Sequence, residues 1–233
     1  MRRTLAIALF FFAAIGLSTV WAGGRPEDPE EVKEGLQELN DYIGQWRGSG
    51  TIPDNKFLIW RENADWSWRF KGKDAWLTMT VPDGKYMKNA EVRYYPSKDE
   101  YQLTILEKEG KRVFKGEARG SKLTFERKDP KTNEKQQVKM LIAGGGLRFI
   151  YEYAVRKPNR SFFSKKFQVA YTKKGVTFGA KKKDRECVVT GGLGTIKVSY
   201  GGRTYWVCCT GCRDVFNEDP AKILAEYKKK KRK

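Results

Sequence analysis

Histidine is absent from all 233 residues of the chain. Its absence excludes a Ser-His-Asp or Cys-His nucleophile pair, a His-x-x-x-His zinc site and a histidine base near neutral pH. The glycine-rich runs at 144–146 and 191–194 lack the spacing and the strand-to-helix context of a phosphate-binding loop, and are typical of turns. The sequence therefore predicts a protein that is not an enzyme and has no catalytic residues.

Cysteine is scarce, and the four that occur are Cys187, Cys208, Cys209 and Cys212. Thiolates clustered in this way bind soft or borderline metals. An even number of cysteines in an exported chain is also the usual sign of a disulfide framework, so both interpretations stay open at this point. Cys209 and Cys212 have the spacing of a redox pair, but no thioredoxin-like βαβ pattern accompanies them.

Only one long hydrophobic run occurs, at residues 5–16. It follows a short basic leader with Arg2 and Arg3, and Val20 and Ala22 lie at the two positions that a signal peptidase recognises. We therefore interpret residues 1–22 as a signal peptide and expect an exported, periplasmic or secreted protein. The run is shorter than the roughly 20 apolar residues of a membrane span, so no transmembrane segment is expected in the mature chain.

Acidic residues are outnumbered, with 28 Asp and Glu against 47 Lys and Arg, which gives a formal net charge of +19. In an exported chain this excess favours an anionic cell-envelope surface or an unidentified partner protein over nucleic acid. Because the basic residues are spread along the predicted strands, a solvated basic surface is the simplest explanation. Residues 228–233 form a run of charge that predicts a disordered basic tail.

Alternating segments dominate the chain from residue 44 to residue 180. Trp66, Trp68 and Phe70 share one face of such a segment, and the residues between them are polar or charged. The pattern recurs at 101–105, 138–142, 147–153 and 167–171, with Gly- and Pro-containing turns between the segments. Eight to ten strands in meander order predict a mainly β fold with an up-and-down barrel, and an open sandwich is the alternative.

A short helix is predicted in the segment 23–43, ahead of the first strand. Asp28 suits the capping position and Pro29 the first helical position. Val32, Leu36 and Leu39 then lie on one face of the helix. We expect this helix to cover one end of the barrel.

The segment 39–48, with Gly44-Gln45-Trp46 at its centre, resembles the opening of lipocalin-like (calycin) domains, in which a Gly-x-Trp leads the first strand. The resemblance implies a barrel that is either filled by side chains or open to one small apolar ligand. The tryptophans that could line such a cavity, Trp46, Trp60, Trp66, Trp68 and Trp76 among them, are expected to form core instead. The family includes barrels with histidine-ligated haem, which the absence of histidine excludes here.

Residues 184–227 resemble a YHS or TRASH-type heavy-metal-binding domain. The shared pattern is a lone cysteine, a hairpin, a Cys-x3-Cys that leads into a helix, and an Asp-Pro step, here Asp219-Pro220. The resemblance implies that Cys187, Cys208 and Cys212 are metal ligands. Val188 stands where many members of the family have proline, a position that is not a ligand.

The residues themselves support a small ββα metal-binding knuckle in this region. A turn at 201–202 joins two alternating segments, and Asp219 can cap a helix that contains Ile223 and Leu224. Consecutive strand side chains point to opposite faces, so Cys208 and Cys209 can face one metal only if the strand breaks at that point, which Thr210-Gly211 permits. Three thiolates suit Cu(I), or Zn(II) with Cys209 or an outside group as the fourth ligand.

Two functions follow from these patterns as hypotheses. The first is an exported, non-enzymatic protein that binds a heavy metal ion for handling, trafficking or sensing. The alternative is a lipocalin-like carrier of a small hydrophobic ligand, in which the cysteine module is a disulfide or structural staple.

Overall fold

A computed structural model describes residues 27–108, 110–175 and 185–232. Residues 1–22, interpreted as a signal peptide, lie outside the described residues, as do the last residues predicted for the barrel, 176–180. Ten antiparallel strands close a barrel in chain order, because β1 pairs with both β2 and β10. The strands are β1 Gly44–Ile52, β2 Asn55–Lys71, β3 Asp74–Thr80, β4 Asn89–Tyr95, β5 Glu100–Glu107, β6 Gly110–Arg119, β7 Lys122–Lys128, β8 Lys135–Ala143, β9 Arg148–Arg156 and β10 Ser164–Lys173. The predicted mainly β, up-and-down barrel is confirmed, and an open sandwich is excluded.

Two glycines in β1 let large rings lie across that strand. A Cβ on Gly48 would lie 2.5 Å from the ring of Tyr171, and one on Gly50 would lie 2.0 Å from the ring of Trp60. Any larger residue at either position would push a ring out of its place. Glycine in β1 therefore makes room for the aromatic side chains of the two neighbouring strands.

Aromatic side chains fill the barrel where the chain enters β1. Trp46, Trp66 and Trp68 are fully buried. The ring of Phe149 lies 5.7 Å from that of Trp46 and 4.9 Å from that of Tyr171, centroid to centroid. These three tryptophans are core, as expected, whereas Trp60 and Trp76 are only partly buried.

The N-terminal helix α1 spans Pro29–Gln37 and matches the prediction. The carboxylate of Asp28 accepts a hydrogen bond of 2.8 Å from the backbone N–H of Glu30, and Val32 and Leu36 are buried. The helix packs against β3 and β4. A short 3-10 helix, Asn40–Tyr42, follows and inserts the ring of Tyr42 into the aromatic core, 5.5 Å from Trp66.

The C-terminal module, residues 185–232, contains the hairpin and the helices that the sequence predicts. Its elements are β11 Ile196–Tyr200, β12 Arg203–Val207, α2 Thr210–Glu218 and α3 Pro220–Lys231. Gly201 and Gly202 both have positive φ, 58° and 71°, as a two-residue hairpin turn of this type requires. The side chain of Asp219 accepts a hydrogen bond from the N–H of Lys222 and so caps α3.

The prediction of a disordered basic tail at 228–233 is wrong for its first four residues, because α3 continues to Lys231. Lysine has a high helix propensity, and cations near a helix C-terminus interact favourably with the helix dipole. The Lys231 ammonium also lies 3.1 Å from the carboxylate of Glu186. Within the described ranges, no helix is both long and apolar enough to cross a membrane.

Because side chains fill the barrel, replacing a phenylalanine by alanine should lower the free energy of unfolding much more at a buried position than at an exposed one. Phe149→Ala should lower the free energy of unfolding by about 3–5 kcal/mol, because the ring is fully buried among other aromatics. Phe57→Ala should change it by no more than about 0.5 kcal/mol, because Phe57 is 98% exposed. Urea unfolding of the reduced protein measures both values, and equal losses would contradict this description of the core.

Candidate metal centre

Three of the four cysteines converge on one point. The Sγ atoms of Cys187, Cys208 and Cys212 all lie within 4.8 Å of one another, and all three residues are buried. Cys208 Sγ and Cys212 Sγ are 3.5 Å apart. The structure thus brings together the three residues that the resemblance to heavy-metal-binding domains implies as ligands.

A tight turn positions Cys187. Its carbonyl accepts a hydrogen bond of 2.8 Å from the N–H of Gly191, and its own N–H donates to the carbonyl of Gly192 at 2.7 Å. Gly191 has a φ of +74°, a conformation that glycine adopts readily. The N–H of Val188 donates to the carbonyl of Trp206, which holds this turn beside the end of β12. Cys187 therefore lies close to Cys208, which follows that strand.

The change from strand to helix positions the other cysteines. Strand β12 ends at Val207, and α2 begins at Thr210 with Cys209 as its capping residue. Cys212 lies in the first turn of α2, so the chain reverses between Cys208 and Cys212 and both sulfurs face Cys187. The strand therefore breaks at the cysteines, and the break turns Cys212, rather than the neighbouring Cys209, toward Cys208 and Cys187.

Cys209 lies beside the group of three without joining it. Its Sγ is 3.9 Å from Cys208 Sγ and accepts a hydrogen bond of 3.4 Å from the backbone N–H of Trp68 in β2. Cys209 therefore lies between the group of three sulfurs and strand β2 of the barrel.

The hydroxyl of Thr190 lies among the three sulfurs, a feature that sequence reasoning missed. Thr190 Oγ1 is 3.4 Å from the Sγ atoms of both Cys187 and Cys208, and 3.9 Å from that of Cys212. A hydroxyl in this place can donate a hydrogen bond to a thiolate. The only signal in the sequence is the position of Thr190, three residues after the lone cysteine and directly before Gly191 in the turn.

The barrel and the 3-10 helix complete the surroundings of the cluster. The side-chain amide of Asn40 donates to the carbonyl of Thr190 at 2.8 Å, and the indole N–H of Trp68 donates to the Asn40 side-chain oxygen at 3.1 Å. All three residues are buried. A chain of hydrogen bonds therefore runs from the barrel strand β2 to the hydroxyl-bearing residue at the sulfurs.

The four thiols divide into two kinds. Hydrogen bonds from the thiols of Cys208 and Cys212 lower the pKa of Cys209 to about 3. Burial opposes ionisation of Cys187, yet hydrogen bonds from Cys208, Cys212 and Thr190 hold its pKa well below the usual value. The pKa of Cys208 is raised by the hydrogen bonds that it donates to Cys187 and Cys209, and that of Cys212 is raised first by burial. The pKa shifts of neighbouring thiols thus run in opposite directions, which disfavours like charges side by side in a buried site.

This arrangement can bind a metal ion. Metal–sulfur bonds of about 2.3 Å hold two sulfurs of one site roughly 3.8–4.0 Å apart, a spacing within the range seen for this group. The four cysteines are free thiols, and the 3.5 Å between Cys208 Sγ and Cys212 Sγ is much longer than a disulfide bond of about 2.05 Å. The donors are soft thiolates, so the site suits soft or borderline cations.

Comparison with known proteins adds the following. No family model matches the chain, and no curated protein matches it. A crystal structure of Rv2717c from M. tuberculosis is similar at 16% identity with a TM-score of 0.37, over 60% of this chain and 97% of that chain. The resemblances to calycin and heavy-metal-binding domains accordingly rest on the motifs described above.

Proposed function

We propose that this chain is an exported, non-enzymatic protein that binds one heavy metal ion through the thiolates of Cys187, Cys208 and Cys212. Its role would be metal handling, trafficking or sensing. The observation that carries the proposal is the convergence of three buried sulfurs, contributed by a turn and a helix start, around the hydroxyl of Thr190. Export is inferred from the leader at residues 1–22, and the basic surface would suit an anionic cell envelope or an acidic partner protein.

Of the two candidate metals, we propose Cu(I). Three soft thiolates complete a trigonal Cu(I) site, whereas a structural Zn(II) site takes four ligands. Zn(II) would need Cys209 or an outside group as the fourth ligand, and Cys209 does not join the group of three. A three-sulfur Cu(I) site leaves Cys209 as a non-ligand that accepts the hydrogen bond from the N–H of Trp68.

The alternative function, a carrier of a small hydrophobic ligand, needs space inside the barrel. At the end of the barrel next to the cysteines, that space holds the rings of Trp66 and Phe149 with Tyr42 between them. Metal binding explains why the sulfurs are buried together, whereas a carrier of a hydrophobic ligand would use the cysteines only to stabilise the C-terminal module.

Serine substitutions of single cysteines test the metal site. In the reduced protein, Cys212→Ser should abolish stoichiometric binding of Cu(I) or Zn(II), and Cys209→Ser should retain it, because only Cys212 belongs to the group of three. Added metal should raise the melting temperature of the wild type and of Cys209→Ser but not that of Cys212→Ser, since a ligand stabilises the folded state that it binds.

The disulfide alternative predicts a different result for the same variants. Each serine substitution would remove one disulfide bond and leave its partner cysteine unpaired. It would destabilise the oxidised protein by about 2–5 kcal/mol, with or without metal. If the reduced wild type shows no metal-dependent change in melting temperature, the metal-binding function is wrong.

Metal binding should release protons. The pKa values of Cys208 and Cys212 are raised, so both carry protons near neutral pH, and a metal must displace them. Apparent affinity should therefore rise with pH from 6 to 8, with about two protons released per metal bound. Calorimetric titration in buffers of different ionisation enthalpy measures that number, and binding without proton release would contradict the protonation pattern described here.

A further inference from the structure

A pocket of about 370 Å³ opens beside the sulfur cluster, at the junction of the barrel and the C-terminal module. The barrel contributes Ser67 from β2 and the lysines at the end of β10, and the module contributes the segment 208–210. Cys208 and Cys209 both line the pocket. The pocket thus connects solvent to the sulfurs.

Burial increases from the pocket toward the centre of the cluster. Cys209 is 5% exposed and Cys208 2%, whereas Cys187 and Cys212 are fully buried. The sulfurs also form a continuous path, with 3.9 Å from Cys209 to Cys208 and 3.5 Å from Cys208 to Cys212. A metal ion that arrives through the pocket can contact Cys209 before it reaches all three ligands.

The charged residues around the pocket favour an anionic ligand. Lys173 and Lys174 line it together with a single carboxylate, that of Asp65, which accepts a hydrogen bond of 2.7 Å from the hydroxyl of Ser67. The Lys173 ammonium donates to the carbonyl of Asp41 and lies 4.8 Å from the centroid of the Trp46 ring. Thr210, the first residue of α2, also lines the pocket, and a helix N-terminus attracts negative charge.

We infer that this pocket admits the metal as a complex with a small anionic thiol, and that Cys209 exchanges ligands with that complex. The inference rests on the proposed function. It adds the chemical class of the metal donor and the route by which the metal reaches the three ligands. A bond forms between the metal and Cys209 Sγ as the bond to the donor's sulfur breaks, and the donor leaves as a thiolate that solvent can protonate. Cys208, Cys212 and Cys187 then replace Cys209 on the metal. Cys208 and Cys212 release their protons to solvent, and the metal keeps its oxidation state.

This assignment explains why a fourth cysteine lies next to a three-sulfur site. Metal transfer between thiolates proceeds by attack of an incoming sulfur, and an incoming ligand held in place reacts far faster than one that must diffuse. The fully buried Cys187 and Cys212 cannot meet a donor complex in solution. Cys209 is held at the mouth by the Trp68 N–H, so it can bind the metal without unfolding the module.

Rapid-mixing kinetics with the reduced, full-length mature protein test the inference. Cu(I)–glutathione serves as the anionic donor, and ultraviolet absorbance of the Cu(I)–thiolate bonds reports transfer. Cys209→Ser should keep wild-type stoichiometry and equilibrium affinity, because the group of three is intact, but it should acquire Cu(I) at least roughly tenfold more slowly.

A charge variant supplies a second, independent readout with the cysteines intact. Lys174→Glu should slow transfer from Cu(I)–glutathione by several fold, and this difference should shrink at high ionic strength. The same variant should take Cu(I) from the acetonitrile complex, which carries no negative charge, no more slowly than the wild type does.

Three results would overturn the inference. Cys209→Ser could acquire Cu(I) at the wild-type rate; it could lose equilibrium binding as completely as Cys212→Ser, which would make Cys209 a permanent ligand; or Lys174→Glu could slow both donors equally. In each case the wild type still binds Cu(I), so the proposed function stands. If the wild type binds no metal at all, the proposed function and the inference both fail.

Discussion

The close contact between Gly211 and the backbone of Trp68 is the constraint on which the arrangement of the cysteines depends. A Cβ at Gly211 would lie 1.9 Å from the Trp68 carbonyl oxygen, so only glycine lets the start of α2 lie directly on β2. This close approach lets the N–H of Trp68 donate a hydrogen bond to Cys209 Sγ, and Cys212 is fully buried. The barrel strand is therefore one wall of the sulfur cluster, and the centre is shared between the barrel and the C-terminal module.

Burial has a chemical consequence for the sulfurs. Charged groups in a site that excludes water interact strongly, so four thiolates cannot lie together without a cation or protons between them. Hydrogen bonds lower the pKa of Cys187 and raise that of Cys208, so adjacent sulfurs do not both favour the charged form, and the hydroxyl of Thr190 is an added donor. A metal cation satisfies the same condition when it replaces the protons. The same burial makes direct access from solvent to the sulfurs difficult, and the route that we infer begins at the pocket beside Cys209.

The sequence predicts those features that depend on local pattern. Alternation around Trp66 and Trp68 predicts the barrel strands, and the Gly201-Gly202 turn predicts the hairpin. The three cysteines that converge are those that the resemblance to heavy-metal-binding domains implies. What it cannot predict depends on contacts between distant segments, such as the hydrogen bond from Asn40 to Thr190, which are 150 residues apart. The charged end was mispredicted because a run of like charge suggests disorder, whereas helix propensity and the contact between Lys231 and Glu186 extend α3.

X-ray absorption spectroscopy of the reduced protein loaded with one equivalent of Cu(I) tests the central claim most directly, because it counts the donor atoms around the metal. We expect three sulfur neighbours at about 2.2–2.3 Å and no nitrogen or oxygen at bonding distance, since the three buried thiolates are the donors that converge. A first shell dominated by nitrogen or oxygen, or one with fewer than three sulfurs, would contradict a metal centre built from Cys187, Cys208 and Cys212.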